Sequence, residues 1–131
     1  MAIRVGIDLV SAESVRDSIN AFGRRYLERV YTEREVSDCS PTADPDPERL
    51  AARFAAKEAT LKVLRVGEET VPWREIEVRR DASGWVALSL TGYAAALAET
   101  AGIARFSLSL THERGCAAAV VIAEIDEAAD T

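Results

Sequence analysis

Cysteine is scarce in this 131-residue sequence: Cys39 and Cys116 are the only two, far apart and without a C-x-x-C companion. That spacing excludes a disulfide-stapled scaffold and reads as free thiols in a reducing compartment. Histidine occurs once, at His112. Long hydrophobic runs are also missing. The N-terminal MAIRVGIDLV is broken by Asp8 and lacks the apolar stretch and small-residue cleavage site of a signal peptide. The longest apolar stretch near the C-terminus, Cys116 to Ala123, is far too short to span a bilayer. A cytoplasmic protein with no membrane partner is expected. Positive charge is in the minority, 16 Lys plus Arg against 22 Asp plus Glu, for a net charge of -6. A chain that wraps a nucleic-acid backbone needs clustered cations in excess, so no nucleic-acid partner is expected. Repeats are missing, as is any linker long enough to divide the chain, and the length suits one domain.

What is there is a core-forming composition, 48% hydrophobic, enough to fold without metal or disulfide staples. Ile3, Val5, Ile7 and Leu9 alternate with Arg4, Gly6 and Asp8, which predicts a strand with the apolar face buried and Asp8 pointing away from it. Ser11 to Phe22 predicts a helix with Ser11 as cap and Gly23 as stop. Thr32 to Glu35 fits a capping box that opens a second short helix. The stretch Ser40 to Asp46 is a loop, followed by the longest helix, about Pro47 to Val66, with Gly67 at its exit. Trp73 to Arg80 and Val86 to Leu90 predict a hairpin around Asp81-Ala82-Ser83-Gly84. A helix over Tyr93 to Ala101 precedes strands through Phe106 to His112 and Ala117 to Ile122, and the acidic tail from Glu124 is expected to fray.

The long helix is the most informative segment. Leu50, Phe54, Leu61 and Leu64 form one apolar stripe, and Ala52, Ala56, Ala59, Val63 and Val66 cover much of the opposite side. A helix apolar on two sides is central and largely buried. Glu58 and Lys62 stand four apart on one border, Arg53 and Lys57 on the other. Glu58 and Lys62 can be an ordinary surface ion pair worth about 0.3 to 0.5 kcal/mol. The alanines beside them instead leave room for a ligand or another backbone. Arg49 to Arg65 carries five basic residues and one acid, which suits a phosphate-rich, metal-bound ligand. The acid is concentrated elsewhere, four residues in Asp38 to Glu48 and four in Glu124 to Asp130.

Gly6-Ile7-Asp8, the run Arg53-Phe54-Ala55-Ala56-Lys57-Glu58-Ala59-Thr60-Leu61-Lys62, Trp73 to Val78, and Ser109-Leu110-Thr111-His112 together resemble the 4'-phosphopantetheinyl transferases. Length and motif order are similar to the short, holo acyl carrier protein synthase type. The resemblance implies an α+β fold, an antiparallel sheet packed against a long central helix. It implies Mg²⁺-dependent transfer of the phosphopantetheine arm of coenzyme A to a serine of an apo acyl carrier protein, releasing adenosine 3',5'-bisphosphate. Asp8 and Glu58 match the family's metal positions and Lys62 its phosphate-contacting lysine, with Glu58 a candidate for removing the serine proton. Read alone, Asp8 can be a strand-end acid capping the next helix, and His112 a satisfied core histidine.

The resemblance assigns Arg53, Lys57, Lys62 and His112 to coenzyme A, and Glu113 is a weaker catalytic candidate. For an acidic carrier protein the cations at hand are Arg16, Arg24, Arg25 and Arg29. Ser14 stands where the family commonly has arginine, and Arg65-Val66-Gly67-Glu68-Glu69 replaces its usual Gly-x-Gly. The short members are homotrimers with active sites between subunits. Fatty-acid biosynthesis is the expected setting, with polyketide or peptide synthase carriers as other acceptors. The rival reading is a noncatalytic coenzyme A or nucleotide binding module.

Overall fold

Gly6 decides how the first strand meets the rest of the chain. In the computed structural model, which describes residues 1–126, a Cβ added at Gly6 would lie 2.2 Å from the Ala59 carbonyl oxygen. The backbone of the long helix therefore rests directly on the strand, at a distance only glycine permits. The elements are β1 (Ala2–Ser11), α1 (Ala12–Phe22), α2 (Arg24–Val30), α3 (Glu33–Asp38), α4 (Pro47–Leu64), a 3₁₀ turn (Trp73–Glu75), β2 (Ile76–Arg80), β3 (Val86–Leu90), α5 (Gly92–Thr100), β4 (Ile103–Glu113) and β5 (Cys116–Ile125). One antiparallel sheet has the order β1-β5-β4, and β2 and β3 form a second, two-stranded one.

The close approach at Gly6 reverses the expected face of β1. Ile3, Val5, Ile7 and Leu9 are 63%, 62%, 61% and 71% exposed, whereas Gly6 is buried and Arg4, Asp8 and Val10 are half-buried. Alternation reveals that a strand has two faces; which of them meets the core is set by what packs there. Here that is α4, whose Ala55, Ala56, Ala59 and Val63 are buried together with Ala119, Val121 and Ala123 of β5. The register sets Gly6 opposite Val121 and Asp8 opposite Ala119, with Leu108 and Leu110 of β4 on the far side of the same two residues. Small residues on both surfaces let helix and sheet approach closely. On its other side α4 buries Leu50 and Ala51 against Val15, Val30, Tyr31 and Cys39, and Phe54 packs against Trp73 with the rings tilted by 47° and their centroids 5.0 Å apart.

Several boundaries differ from expectation. α4 stops at Leu64 because Arg65, not Gly67, takes the left-handed conformation, with φ 55°. Its N–H bonds back to the Leu61 and Lys62 carbonyls, satisfying the last turn. Trp73 to Glu75 is a 3₁₀ turn, and the strand begins at Ile76. Gly23, at φ 57°, lets a separate helix, α2, follow α1 directly. β5 continues through Ile125, with Glu124 paired to Arg105 across the sheet, so the expected fraying does not begin at Glu124, and residues 127–131 lie outside the described residues. The capping box is present: Glu35 N–H donates to Thr32 Oγ1 (3.2 Å) and Thr32 N–H to Glu35 Oε1 (3.0 Å). Both cysteines are free; Cys39 is buried, which pushes its thiol up to about 11, and Cys116 is exposed. No helix among the described residues is long and apolar enough to cross a membrane.

Gly6→Ala is expected to destabilise the fold by about 1 to 3 kcal/mol, the usual cost of overpacking, read as an earlier urea unfolding midpoint. An unchanged midpoint would show that the strand and α4 are free to separate.

Candidate active site

α4 carries its charged residues on two flanks. At 100° per residue, Arg49 and Arg53 lie about 140 to 180° around the helix from Glu58 and Lys62. The first pair faces β4, the second faces β1, and β5 runs between. The site is thus divided into two parts by the helix itself.

On the β1 flank, Lys62 Nζ donates to the Ile7 carbonyl at 2.7 Å and stands 3.4 Å from Asp8 Oδ1. Asp8 reaches it because it shares the core-side face of β1 with Gly6, two residues before it, where the helix touches down. Burial pushes the Glu58 carboxyl above its ordinary value of 4.5, the neighbouring Asp8 charge pushes it further, and Lys62 offsets part of the rise. Two carboxylates and an ammonium therefore converge, and Glu58 and Lys62 line a cleft of about 380 Å³ walled by Leu61, Val66, Val71 and Trp73. Among the described residues no group of three or more His, Cys, Asp or Glu is arranged to enclose a metal. The mutual repulsion of Asp8 and Glu58 suits a divalent cation that two carboxylates hold in part, with substrate phosphates and water supplying the remaining oxygens, the usual habit of Mg²⁺.

The β4 flank is an anion cleft of about 330 Å³, lined by Arg49, Arg53, Arg80, Trp85, Ser109 and His112 among others. Arg53 is 7% exposed, and its Nε is buried without a hydrogen-bond partner among the described residues. A buried guanidinium N–H with nothing to bind is costly unless a ligand completes it. His112 is not a core histidine: it lies on the exposed end of β4, with Nδ1 2.6 Å from Glu48 Oε1 in the first turn of α4. Arg80 and Trp85 escape a sequence reading because they sit on β2 and at the hairpin, far along the chain from the helix motif. Only the hairpin, by folding them back over β4, joins them to it.

Lys57 does not belong to this cleft. Its side chain is fully buried, and Nζ donates to Glu35 Oε1 (2.7 Å), the Trp73 carbonyl (3.1 Å) and the Ile76 carbonyl (2.5 Å). An ammonium has three donors, so none is left for a phosphate of coenzyme A. The four carrier-facing candidates are all exposed but do not share one surface. Arg25 and Arg29 border a groove of about 370 Å³ with Phe22, Tyr26, Phe54 and Trp73. Arg24 turns to the other side, 3.9 Å from Glu28, and Arg16 lies on α1. Glu113 is exposed, 3.8 Å from Arg114, at the end of β4.

The burial of Glu58, with the Asp8 charge beside it, has a cost in stability. Native Glu58 holds its proton more tightly than the unfolded chain does, so stability falls as pH rises above about 4.5 through the native titration and the penalty persists at neutral pH. Glu58→Gln is expected to remove this pH dependence and to melt at or above the wild-type temperature at pH 7. A markedly lower melting temperature would contradict the repulsion.

Comparison with known proteins identifies the family. The model of the 4'-phosphopantetheinyl transferase superfamily matches residues 4–120. A holo-[acyl-carrier-protein] synthase of Halothermothrix orenii is 41% identical over 120 residues, 92% of this chain and 95% of that protein. One of Paramagnetospirillum magneticum is 44% identical over 137 aligned positions, covering 98% of this chain and all of its own. Among solved structures, a Chronobacterium ammoniagenes ACPS–CoA complex superposes with a TM-score of 0.85 at 31% identity, over 97% of this chain and 100% of that one. The Neisseria meningitidis holo-[acyl-carrier-protein] synthase gives 0.79 at 34% identity, over 92% and 96%. With its motifs on these two flanks of α4 and relatives matched over nearly their full length, the chain belongs to the 4'-phosphopantetheinyl transferase superfamily.

Proposed function

We propose that the chain acts as a single transferase domain, a holo-[acyl-carrier-protein] synthase that moves the 4'-phosphopantetheine group of coenzyme A onto a serine of an apo acyl carrier protein. The observation that carries this reading is the convergence of Asp8, Glu58 and Lys62 beside one cleft, with a separate arginine cleft across the helix. The serine Oγ forms a bond to the phosphorus that bears the pantetheine arm. The bond from that phosphorus to the bridging oxygen breaks, and adenosine 3',5'-bisphosphate leaves. Mg²⁺ held by Asp8 and Glu58 would neutralise charge on the pyrophosphate oxygens. Lys62 Nζ, oriented by the Ile7 carbonyl and Asp8, has a donor left for a phosphate oxygen as charge develops there. Glu58, on the wall of the cleft, is suited to receive the serine proton on a carboxylate oxygen, directly or through a bound water.

Arg53 and His112, with Arg49 and Arg80, suit the 3'-phosphate of coenzyme A, and the face of Trp85 suits its adenine. The two flanks open on opposite edges of the three-stranded sheet, which supports a head-to-tail assembly in which one protomer's β1 flank meets the next protomer's arginine cleft. Heterologous contacts close into a ring when the rotation between protomers is a whole fraction of a turn. A homotrimer, as the short members of the family form, satisfies that geometry. The exposed Ile3, Val5, Ile7 and Leu9 supply an apolar surface for it. Exposed Phe22, with Arg16, Arg24, Arg25 and Arg29, suits the docking of an acidic carrier protein. Two free thiols support a cytoplasmic setting, and fatty-acid biosynthesis is the corresponding use of the product.

Incubation with coenzyme A, Mg²⁺ and an apo carrier protein is expected to add one phosphopantetheine to the carrier, read by intact mass. Asp8→Asn is expected to abolish that gain while the melting curve stays cooperative. Full activity of Asp8→Asn would remove the metal assignment.

A further inference from the structure

We infer that Glu35 and Lys57 form a positioning pair for the transferase site, acting through the backbone of α4 and the 3₁₀ turn and touching neither substrate. The inference rests on the transferase reading above. Both side chains are fully buried, in a protein whose other ion pairs all keep partly exposed side chains among those described. Lys57 spends its three donors on Glu35, the Trp73 carbonyl and the Ile76 carbonyl. Glu35 Oε1 also accepts the Thr32 N–H, and Oε2 accepts the Val78 N–H at 2.9 Å. One carboxylate and one ammonium therefore join the start of α3, the middle of α4, the 3₁₀ turn and β2.

Two of the joined pieces are parts of the site. Glu58 is the residue after Lys57 on α4, and Trp73, whose carbonyl Lys57 holds, walls the cleft that contains Glu58 and Lys62. A buried ion pair is seldom worth more to stability than apolar residues of the same volume, because desolvation offsets its attraction. Its directional bonds do, however, fix where each element stands. With the pair removed, an apolar contact would still join α4 to the turn, but nothing would set the rotation of α4 against Trp73. A shift of about 1 Å at a reacting centre costs on the order of 100-fold in rate.

The experiment compares Glu35→Gln, Lys57→Met and the double variant Glu35→Gln/Lys57→Met, each assayed at a temperature where circular dichroism shows it folded. The expected result is that kcat falls about 10- to 100-fold in all three. The KM for coenzyme A should stay within about two-fold, and the double variant should be no worse than either single one, because the two residues act as one unit. Wild-type kcat in a folded double variant would overturn the inference. So would a rise in the coenzyme A KM confined to Lys57→Met, which would put Lys57 on the substrate. If the double variant does not fold, Glu35→Asp, which keeps the charge and withdraws the carboxylate by one methylene, decides instead: reduced kcat at unchanged KM supports the pair and wild-type kcat overturns it. An inactive wild-type protein under the same assay would fail the transferase reading itself, and is distinguishable from all of these.

Discussion

At Gly6 the first strand has no side chain, and the carbonyl of Ala59 occupies the space one would fill. The placement of Asp8 and Lys62 depends on that contact. It sets α4 against β1 closely enough for Lys62 to bond the Ile7 carbonyl and stand by Asp8. It turns Ile3, Val5, Ile7 and Leu9 outward. The alanines of α4 and β5 extend the same close approach along the sheet, so helix and strands meet through small side chains that leave little freedom to slide. The Gly-Ile-Asp motif is in this sense one mechanical unit, in which the glycine locates the helix and the aspartate uses its position.

Burial and charge then divide the helix between support and chemistry. Lys57 and Glu58 are adjacent, yet one is sealed inside among three acceptors and the other opens on a cleft. On the buried side the chain satisfies every donor of the ammonium. On the open side it sets two carboxylates near each other, at the expense of the Glu58 ionisation. On the third side it leaves Arg53 Nε buried without a partner among the described residues. Unmet electrostatic demand of both signs, on opposite flanks, is what a divalent cation and a phosphorylated nucleotide would answer.

Much of this was legible in the sequence, and the failures have physical reasons. The two-sided apolar pattern of α4 identified it as central, and the Thr32 and Glu35 spacing identified a capping box that is present with both bonds. Asp8, Glu58 and Lys62 come together as the motif suggested. Alternation in β1 could not tell which face is covered, because that is decided by a helix some fifty residues away. The resemblance assigned Lys57 to coenzyme A, and helix spacing gives its angle but not the acceptors that meet it, which come from α3 and the Trp73–Ile76 segment. Arg80 and Trp85 join the arginine cleft only through the hairpin, a long-range contact with no local signature.

The proposed assembly takes the carboxylates of each site from one protomer and the arginine cleft from the next, since α4 separates the two within a chain. Mixing subunits tests it most directly. Asp8→Asn and the double variant Arg53→Ala/His112→Ala are each purified, shown to have little or no activity, unfolded and refolded together at equal amounts. If the flanks meet across a ring, a site is intact when its carboxylates come from the Arg53/His112 variant and its arginine cleft from the Asp8 variant, and random assembly restores about one quarter of wild-type activity. Activity of the mixture no greater than that of the separately refolded parents would contradict the claim.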